Sequence, residues 1–350
     1  MIRESIQKLI EGRDLSYVEA SETLKEIMSG RASDAQIAAF LTALRIKRET
    51  VDEIAVFATV MRTFCRRIRP RVSGRLVDTC GTGGDHVKTF NVSTMAAFVI
   101  AGAGISVAKH GNRSVTSMCG SADMLEKLGL NLNVESQVVE KAIEDVGIGF
   151  MFAPTFHPAM KYAATPRKEI GIRTVFNILG PLTNPANADA QLLGVYDETL
   201  VEPLALVLGK LGSSEAMVVH GLDGIDEISI TGGTVIAWLV EGNVKRLDLC
   251  PESIGLKRAL VEDIRGDTAE HSANLCYEIL NDLVSGPKKD MVLVNAAAGI
   301  IVGGRASDFS EGLDLARESL ESGAAYRKLR QLIKACGDLA KLEELESKYG

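Results

Sequence analysis

The stretch Leu76-Val77-Asp78-Thr79-Cys80-Gly81-Thr82-Gly83-Gly84-Asp85 decides how the chain is organised. Its apolar start predicts a strand. Three glycines in four positions then predict a tight turn, because glycine adopts positive φ and lets a ligand approach the backbone closely. Asn91-Val92-Ser93-Thr94 and the apolar stretch from Met95 to Ala101 follow, a pattern typical of a helix start. Since unpaired N–H groups at a helix N-terminus suit phosphate, we expect this unit to bind a phosphate compound.

Strand and helix patterns alternate from this point on. Ile105–Ala108 is predicted to be a second strand, and a right-handed crossover would make it parallel to the first. The loops Gly81–Asp85 and His110–Ser121 would then both follow the carboxyl ends of strands, where open α/β sheets bind their ligands. Val235–Val240 and Val244–Leu247 indicate shorter, antiparallel strands, and Ala325–Leu345 indicates a C-terminal helix.

Residues 1–72 have helical patterns throughout. Ser33-Asp34 and Thr50 are candidate caps, the latter for a helix over Val51–Ile68. The segment from Ala38 to Leu44 is apolar nearly all round, which indicates either the centre of the helical unit or an interface with a second subunit. We predict an α/β fold with a small all-helical domain over residues 1–72, completed by part of 158–182. A larger α/β domain over residues 73–350 would contain a mostly parallel central sheet and a C-terminal helical cluster.

Composition excludes several classes of protein. The 350 residues carry a net charge of −7 and only 5% aromatic residues, which argues against a nucleic-acid partner. The six cysteines form no C-x-x-C pair, which predicts neither zinc nor disulfides. The N-terminus lacks the apolar region of a signal peptide, and the apolar stretches Met95–Ala108 and Met291–Gly304 are interrupted by glycines or by Asn295. We expect a cytoplasmic protein without a membrane partner.

The loop Lys109-His110-Gly111-Asn112-Arg113-Ser114-Val115-Thr116-Ser117 supports a phosphate site. It places three cation-capable side chains around one glycine, with hydroxyl and amide groups between them. Lys and Arg neutralise phosphate charge, while hydroxyl and N–H groups complete the hydrogen bonds. Asp226-Glu227 follows the predicted strand Ala216–His220. On the same edge of the sheet, this carboxylate pair indicates Mg²⁺, which takes one or two carboxylates together with substrate phosphates.

Several motifs together resemble the anthranilate phosphoribosyltransferase family. They are Asp78–Asp85, Thr89-Phe90-Asn91-Val92-Ser93-Thr94, Lys109-His110-Gly111-Asn112-Arg113, Gly120-Ser121-Ala122-Asp123 and Arg173-Thr174-Val175-Phe176-Asn177-Ile178-Leu179-Gly180-Pro181-Leu182-Thr183-Asn184-Pro185. The resemblance runs from the helical N-terminal unit to near the C-terminus. It implies that anthranilate attacks C1 of 5-phosphoribosyl-1-diphosphate, giving N-(5-phosphoribosyl)anthranilate and diphosphate on the route to tryptophan, with Mg²⁺ as the cofactor.

The resemblance also implies roles for individual residues. The phosphoribosyl-diphosphate positions are Gly81, Gly84, Asp85, Thr89, Asn91, Val92, Ser93, Thr94, Lys109, His110, Gly111, Asn112, Arg113, Ser114, Val115, Thr116, Ser117 and Ser121. The anthranilate positions are Gly81, Asn112, Arg167, His110, His157, Gly180 and Pro181. Mg²⁺ would be held by Ser93, Asp226 and Glu227, and the reaction would depend most on Lys109, Asn112 and Arg167. His86 departs from the family, which usually has glycine there.

Two alternatives remain open. A pyrimidine-nucleoside phosphorylase-like enzyme of the same fold would use phosphate and a nucleoside, but Asp226-Glu227 and the full Lys109–Arg113 motif favour phosphoribosyl diphosphate. A non-enzymatic paralogue that binds nucleic acid would need lost site residues and a basic groove, whereas here the motifs are intact and the balance is acidic. We further expect a homodimer formed through the N-terminal helical unit.

Overall fold

The computed structural model describes residues 1–85, 87–114 and 118–349. The α-helices in these residues are α1 Ile2–Ile10, α2 Tyr17–Met28, α3 Asp34–Lys47, α4 Val51–Phe64, α5 Val92–Gly102, α6 Ser121–Lys127, α7 Ser136–Val146, α8 Ala153–Phe156, α9 Lys161–Ile170, α10 Phe176–Leu179, α11 Val201–Lys210, α12 Ala269–Leu280, α13 Pro287–Val302, α14 Phe309–Glu321, α15 Ala324–Cys336 and α16 Leu339–Glu346. No helix in this part of the chain is long and apolar enough to span a membrane.

A single seven-stranded sheet forms the centre of the described residues. Its strands are β1 Leu76–Gly81, β2 Ser106–Gly111, β3 Ile148–Phe152, β4 Ala190–Gly194, β5 Glu215–Gly221, β6 Thr234–Val240 and β7 Asn243–Leu249. The spatial order is β3-β2-β1-β4-β5-β6-β7. The first five strands in this order are parallel, β6 is antiparallel to β5, and β7 is antiparallel to β6. The carboxyl ends of β1, β2, β4 and β5 therefore lie on one edge, as the alternating pattern predicted.

The N-terminal helices begin where the sequence places their caps. Ser16, Ser33 and Thr50 each accept a hydrogen bond from the backbone three residues on, and the side chain at that third position bonds back to complete a capping box. These bonds satisfy N–H groups that a helix start leaves without partners. The all-helical character predicted for the start of the chain is confirmed.

The helical unit packs on one face of the sheet. Leu193 and Val218, which pair across β4 and β5, belong to the same buried apolar cluster as Phe40 and Phe57 of α3 and α4. Helices α9 and α11 belong to this cluster too, α9 against α2 and α3, and α11 against α4. Because neighbouring residues of a strand point to opposite faces, the opposite face, which includes Leu192, packs against α5 and α13.

Two helix ends differ from the sequence prediction. Helix α4 stops at Phe64 rather than at Ile68, because Cys65 is extended and the following backbone bonds elsewhere: the Arg66 N–H donates to the Phe156 carbonyl at 2.8 Å. The predicted helix over Ala325–Leu345 is two helices, α15 and α16. The break falls at Gly337, which is extended and lies so close to the Gly129 carbonyl that no side chain would fit.

The buried carboxylate of Glu53 should be important for the stability of the helical unit. It is 1% exposed and accepts hydrogen bonds from the backbone of Leu15 at 2.9 Å, from the Lys47 ammonium at 2.6 Å and from the Thr50 N–H at 2.8 Å. Glu53→Ala leaves the N–H groups of Leu15 and Thr50 without this acceptor and leaves Lys47 with the exposed Asp14 as its remaining acidic partner, so we expect a loss of about 3 kcal/mol in the free energy of unfolding. Urea denaturation measures it. Glu22→Ala removes a half-exposed carboxylate paired with Lys25 and should cost less than about 1 kcal/mol; equal losses in the two variants would contradict the prediction.

Candidate active site at the carboxyl ends of the strands

The glycine loop after β1 is in direct contact with Asp226. The Gly83 N–H donates to Oδ2 of Asp226 at 2.7 Å. Gly83 and Gly84 have φ of +68° and +79°, the left-handed region that glycine adopts without strain. A side chain on Gly81 or on Gly194 of the neighbouring strand would collide with Asp226, so both strand ends need glycine. The loop after β5 thus crosses over the ends of β1 and β4.

The start of α5 and the end of β2 complete this contact. Glu227 accepts a hydrogen bond from the Ser93 N–H at 3.2 Å, in the first turn of α5. The Lys109 ammonium donates to the Ser93 hydroxyl at 3.3 Å and to the Thr79 carbonyl at 2.5 Å. Three groups far apart in the sequence, Ser93, Lys109 and Asp226-Glu227, therefore form one cluster, as predicted from the positions of their loops.

The electrostatics of the cluster favour a bound cation. Asp226 and Glu227 are 7% and 8% exposed. Burial, and then the nearby Asp85, raises the pKa of Asp226 to about 6. Burial and Asp226 raise the pKa of Glu227 well above its ordinary value. Lys109 is buried too, and burial lowers the pKa of its ammonium while Asp78 opposes that effect. Two adjacent buried carboxylates with one ammonium leave unbalanced negative charge, which a divalent cation would neutralise.

The donor set fits Mg²⁺ bound jointly with a ligand. The described residues contain no cluster of three or more His, Cys, Asp or Glu side chains suited to a metal ion. Asp226 and Glu227 with the Ser93 hydroxyl therefore make an incomplete coordination shell. This is how Mg²⁺ is usually bound in proteins, because waters and substrate phosphates supply its remaining oxygen ligands.

The first turn of α5 and the segment before it surround the cluster. The Thr89 N–H donates to Asp85 at 2.9 Å, and the Asn91 amide donates to the Cys119 carbonyl at 3.2 Å, which ties the two loops together. The other carboxamide atom of Asn91, Oδ1, is buried without a hydrogen-bond partner. The side chains of Val92 and Thr94 are buried in the core, so only their backbone could contact a ligand.

The second loop is arranged differently from what its sequence suggests. The Arg113 guanidinium donates to both carboxylate oxygens of Glu126 at 2.9 Å and to Asp123 at 2.8 Å, on α6. Its positive charge is therefore already paired. Asp123 also accepts from the N–H groups of Ser114 and Gly120, and the Ser121 hydroxyl donates to the Asn112 carbonyl at 3.2 Å. Gly111 lies against Ser121 without room for a side chain. The predicted positions Val115, Thr116 and Ser117, together with His86, lie outside the described residues.

The residues assigned to the second substrate lie together beyond β2. The imidazole rings of His110 and His157 have centroids 4.9 Å apart, and the Nε2 atoms of both are buried without a hydrogen-bond partner. Burial lowers the pKa of His157 to about 4 and that of His110 well below its ordinary value, so both rings are neutral at pH 7. The turn at Gly180 and Pro181 is fixed by Gln191, whose amide donates to the Pro181 carbonyl at 2.7 Å.

Arg167 is a partly buried arginine whose guanidinium has no acidic partner among the described residues. It lies on α9, where its Cζ is 5.4 Å from the centroid of the Phe176 ring, and none of the ion pairs in the described parts of the chain includes it. Burial lowers its pKa. A planar guanidinium in such a position is suited to bidentate binding of a carboxylate that comes from a ligand.

Sequence reasoning missed three polar residues that hold the site. Arg173 donates to the Gly84 carbonyl at 2.6 Å and stacks on Tyr196, with its Cζ 3.9 Å from the ring centroid. Asp78, within β1, is fully buried and accepts the His110 N–H at 3.1 Å. Gln191, on β4, fixes the Pro181 carbonyl. The sequence carries a signal for two of these residues, because Asp78 and Gln191 are polar side chains inside apolar strand patterns. Arg173 has no such signal beyond its place in the motif from Arg173 to Pro185.

Two models of one glycosyl transferase family together match most of the chain. The model described as the helical bundle domain of a glycosyl transferase family matches residues 3–65, and the model of the a/b domain of that family matches residues 73–326. The chain is therefore an enzyme of the glycosyl transferase class. An anthranilate phosphoribosyltransferase from Moorella thermoacetica is 52% identical over 335 residues, which are 95% of this chain and 98% of that protein. The chain belongs to the anthranilate phosphoribosyltransferase family.

Solved structures agree with this membership. The anthranilate phosphoribosyltransferase of Thermus thermophilus superposes with a TM-score of 0.90 at 42% identity, covering 95% of this chain and 99% of that one. The enzyme of Saccharomyces cerevisiae in complex with PRPP and Mg superposes with a TM-score of 0.89 at 30% identity, covering 96% and 97%. The same yeast enzyme has also been solved in complex with 4-fluoroanthranilate. The predicted fold class is confirmed.

Asp226 should lower the stability of the ligand-free protein at neutral pH. A carboxyl group whose pKa is higher in the folded than in the unfolded chain stabilises the fold while it is protonated, and this contribution is lost as the pH rises from about 4 through about 6. Asp226→Asn keeps an acceptor for the Gly83 N–H but cannot ionise. We expect it to be more stable than the wild type at pH 7.5, on the order of 2 kcal/mol, with the advantage vanishing near pH 4.

Thermal unfolding at the two pH values, without added metal or substrate, measures this difference. Asp314→Asn, at an exposed carboxylate paired with Arg317, is the control and should not change the pH dependence. A Tm of Asp226→Asn below that of the wild type at pH 7.5 would show that the buried charge is compensated within the chain.

Proposed function

We propose that the chain transfers the 5-phosphoribosyl group from 5-phosphoribosyl-1-diphosphate to the amino group of anthranilate. The products are N-(5-phosphoribosyl)anthranilate and diphosphate, and the reaction belongs to tryptophan biosynthesis. Membership of the family supports this proposal, as do the ligands of the yeast relative. The observation that carries it is the cluster in which the β1 glycine loop, the first turn of α5 and the Lys109 ammonium meet Asp226-Glu227.

The diphosphate end of the substrate fits this cluster. Mg²⁺, held by Ser93, Asp226 and Glu227, would neutralise the charge of the leaving diphosphate. The glycine loop allows phosphate oxygens and the ribose to approach its backbone, and α5 begins beside it, where N–H groups favour anions. Lys109, which interacts electrostatically with Glu227, adds a positive charge next to the carboxylates. We propose that the remaining positions named from the sequence also line the phosphoribosyl-diphosphate site. Arg113 would contribute its backbone, because its guanidinium is already paired.

The anthranilate end is assigned to the residues beyond β2. Arg167 is partly buried and has no acidic partner among the described residues, so the anthranilate carboxylate would be its partner. The neutral rings of His110 and His157, each with an unpaired Nε2, would line the channel together with Gly180 and Pro181. Asn112 and Gly81 lie at the ends of β2 and β1, and would contact the substrates between the Asp226-Glu227 cluster and the residues assigned to anthranilate.

The chemistry needs positioning more than acid–base catalysis. Loss of diphosphate from an anomeric carbon builds oxocarbenium character, as in glycoside cleavage. The arylamine of anthranilate is neutral at pH 7 and needs no deprotonation before attack. The residues of this chain would therefore act by aligning the amine with C1 and by stabilising the departing charge. As the N–C1 bond forms and the bond from C1 to diphosphate breaks, the amine gives up one proton, which the departing diphosphate or solvent can accept, so the route needs no nucleophile of the chain.

The test of this function is an assay of anthranilate fluorescence with phosphoribosyl diphosphate and Mg²⁺. Consumption of anthranilate that depends on both supports the proposal, and chelation of the metal with EDTA should stop it. The alternative of a pyrimidine-nucleoside phosphorylase predicts a different result: cleavage of thymidine by inorganic phosphate without Mg²⁺. That activity, in the absence of anthranilate consumption, would overturn the proposal.

We also propose a cytoplasmic homodimer formed through the N-terminal helices. Ile10, Tyr17, Val18 and Ile46 of this unit are 60–78% exposed, and large apolar side chains grouped on one small unit favour a protein partner. The six cysteines are free thiols, which suits a reducing compartment. Light scattering tests the assembly, since a monomer mass that does not change with concentration would refute it.

Arg167→Ala should impair anthranilate binding and little else. Removing the guanidinium leaves the substrate carboxylate without its charged partner, so we expect the KM for anthranilate to rise at least about tenfold. The KM for phosphoribosyl diphosphate should change little, because the Asp226-Glu227 cluster is intact. Arg167→Lys keeps the charge but not the planar fork, and should lie between wild type and Arg167→Ala.

Steady-state kinetics with each substrate varied in turn separates the two effects. Lys168→Ala is the matched control, because Lys168 is the next residue on α9 and is exposed. If Arg167→Ala leaves the KM for anthranilate unchanged, the carboxylate of the substrate binds elsewhere.

A further inference from the structure

Asn295 is a polar residue in the middle of an apolar, fully buried helix. It lies on α13, where every residue from Met291 to Val302 is buried, and its own exposure is 0%. A carboxamide buried in such a place is costly unless it is hydrogen-bonded, and an apolar residue would pack there without that cost. The packing of α13 alone therefore does not explain why an asparagine occupies this position.

The carboxamide of Asn295 holds the backbone of Ile228. Its Oδ1 accepts the Ile228 N–H at 2.9 Å, and its Nδ2 donates to the Ile228 carbonyl at 3.0 Å and to the Met291 carbonyl at 2.9 Å. Both backbone polar groups of Ile228 are thus satisfied by one side chain, in the way that a neighbouring strand would satisfy them. No strand is available, because β5 has already ended at Gly221 and β6 begins at Thr234.

Ile228 directly follows the two carboxylates of the candidate Mg²⁺ site. Its own side chain and that of Ile230 are completely buried, so this part of the loop is fixed in the core. On the other side of the pair, Asp223 accepts hydrogen bonds from the hydroxyls of Ser229 and Thr231. Asp226 and Glu227 therefore lie on a short segment that is fixed at both ends, rather than on a free loop.

We propose that Asn295 is a positioning residue for Asp226 and Glu227, acting through the backbone of Ile228. The inference rests on the proposed function, in which this pair holds Mg²⁺ together with the diphosphate group. Two adjacent buried carboxylates repel each other. Without a fixed backbone, this repulsion would displace the two side chains from their places in the ligand-free protein. The two bonds to Ile228 keep Glu227 facing Ser93 and Asp226 facing Gly83, so that the site exists before the ligand arrives.

The test compares Asn295→Leu and Asn295→Asp with the wild type. The leucine has a similar volume and makes none of the three hydrogen bonds. The aspartate has the same shape and can still accept the Ile228 N–H, but, held protonated by burial, it can donate to only one of the two carbonyls. Calorimetric titration with Mg²⁺ and inorganic diphosphate measures the binding site without any turnover. We expect affinity to fall about 10–100-fold in Asn295→Leu, the range seen when groups that orient metal ligands are lost. Asn295→Asp should fall between that variant and the wild type.

A matched control separates positioning from stability. Val294 is the neighbour of Asn295 on α13 and is equally buried, so Val294→Ala weakens the same helix without touching the bonds to Ile228. At equal Tm loss, only the Asn295 variants should bind Mg²⁺ and diphosphate more weakly. Kinetics should show the same split, with the KM for phosphoribosyl diphosphate and the Mg²⁺ requirement raised and the KM for anthranilate changed by less than about twofold.

The results distinguish the two proposals. If the wild type binds Mg²⁺ with diphosphate and Asn295→Asp binds it as tightly as Val294→Ala, the positioning role is wrong even where Asn295→Leu fails to fold. If the wild type consumes no anthranilate, the proposed function is wrong, whatever the Asn295 variants bind. Equal increases in the KM values for both substrates would indicate a general structural defect and would likewise overturn the positioning role.

Discussion

The position of the Asp226 carboxylate constrains the whole site. Its side chain and its backbone carbonyl occupy the space where Gly81 and Gly194 would otherwise carry side chains. Two neighbouring parallel strands must therefore end in glycine for the loop after β5 to cross above them. The same approach brings Oδ2 of Asp226 to the Gly83 N–H, which fixes the glycine loop, and places Glu227 against the first turn of α5. Gly81 and Gly194 are therefore required by Asp226 itself, through its carboxylate at Gly81 and its backbone carbonyl at Gly194.

The sequence predicted the parts of this arrangement that depend on local pattern. Gly83 and Gly84 predict a turn because few other residues adopt its backbone conformation, and Thr50 predicts a helix start because it is a good N-cap residue. The parallel order of β1 and β2 follows from one crossover rule. That rule was enough to place the loops after both strands on one edge, which is why the cluster could be anticipated.

The rest depended on contacts between distant residues, which no local pattern encodes. Arg113 was expected to face a phosphate, yet it pairs with Asp123 and Glu126, and only the fold brings those carboxylates within reach. Asn295 appeared as no more than an interruption of an apolar stretch, although its partner is Ile228, 67 positions away. A buried polar residue in an apolar pattern shows that a partner exists, but its identity comes from tertiary packing.

The charges of the site link the two ligands in the proposed reaction. Within the cluster, Asp78 and Glu227 face one ammonium, that of Lys109, while burial first, and then the neighbouring carboxylates, raises the pKa of both Asp226 and Glu227. A diphosphate that approached this cluster alone would be repelled, because like charges at short range in a buried site interact strongly. Mg²⁺ alone would find two carboxylates and one hydroxyl and would complete its shell with water. In the proposed reaction Mg²⁺ would therefore offset the charge that repels diphosphate, and diphosphate oxygens would replace waters around Mg²⁺. Arg167 carries a positive charge that no acidic group among the described residues balances, so in the proposed reaction it would pair with the anthranilate carboxylate.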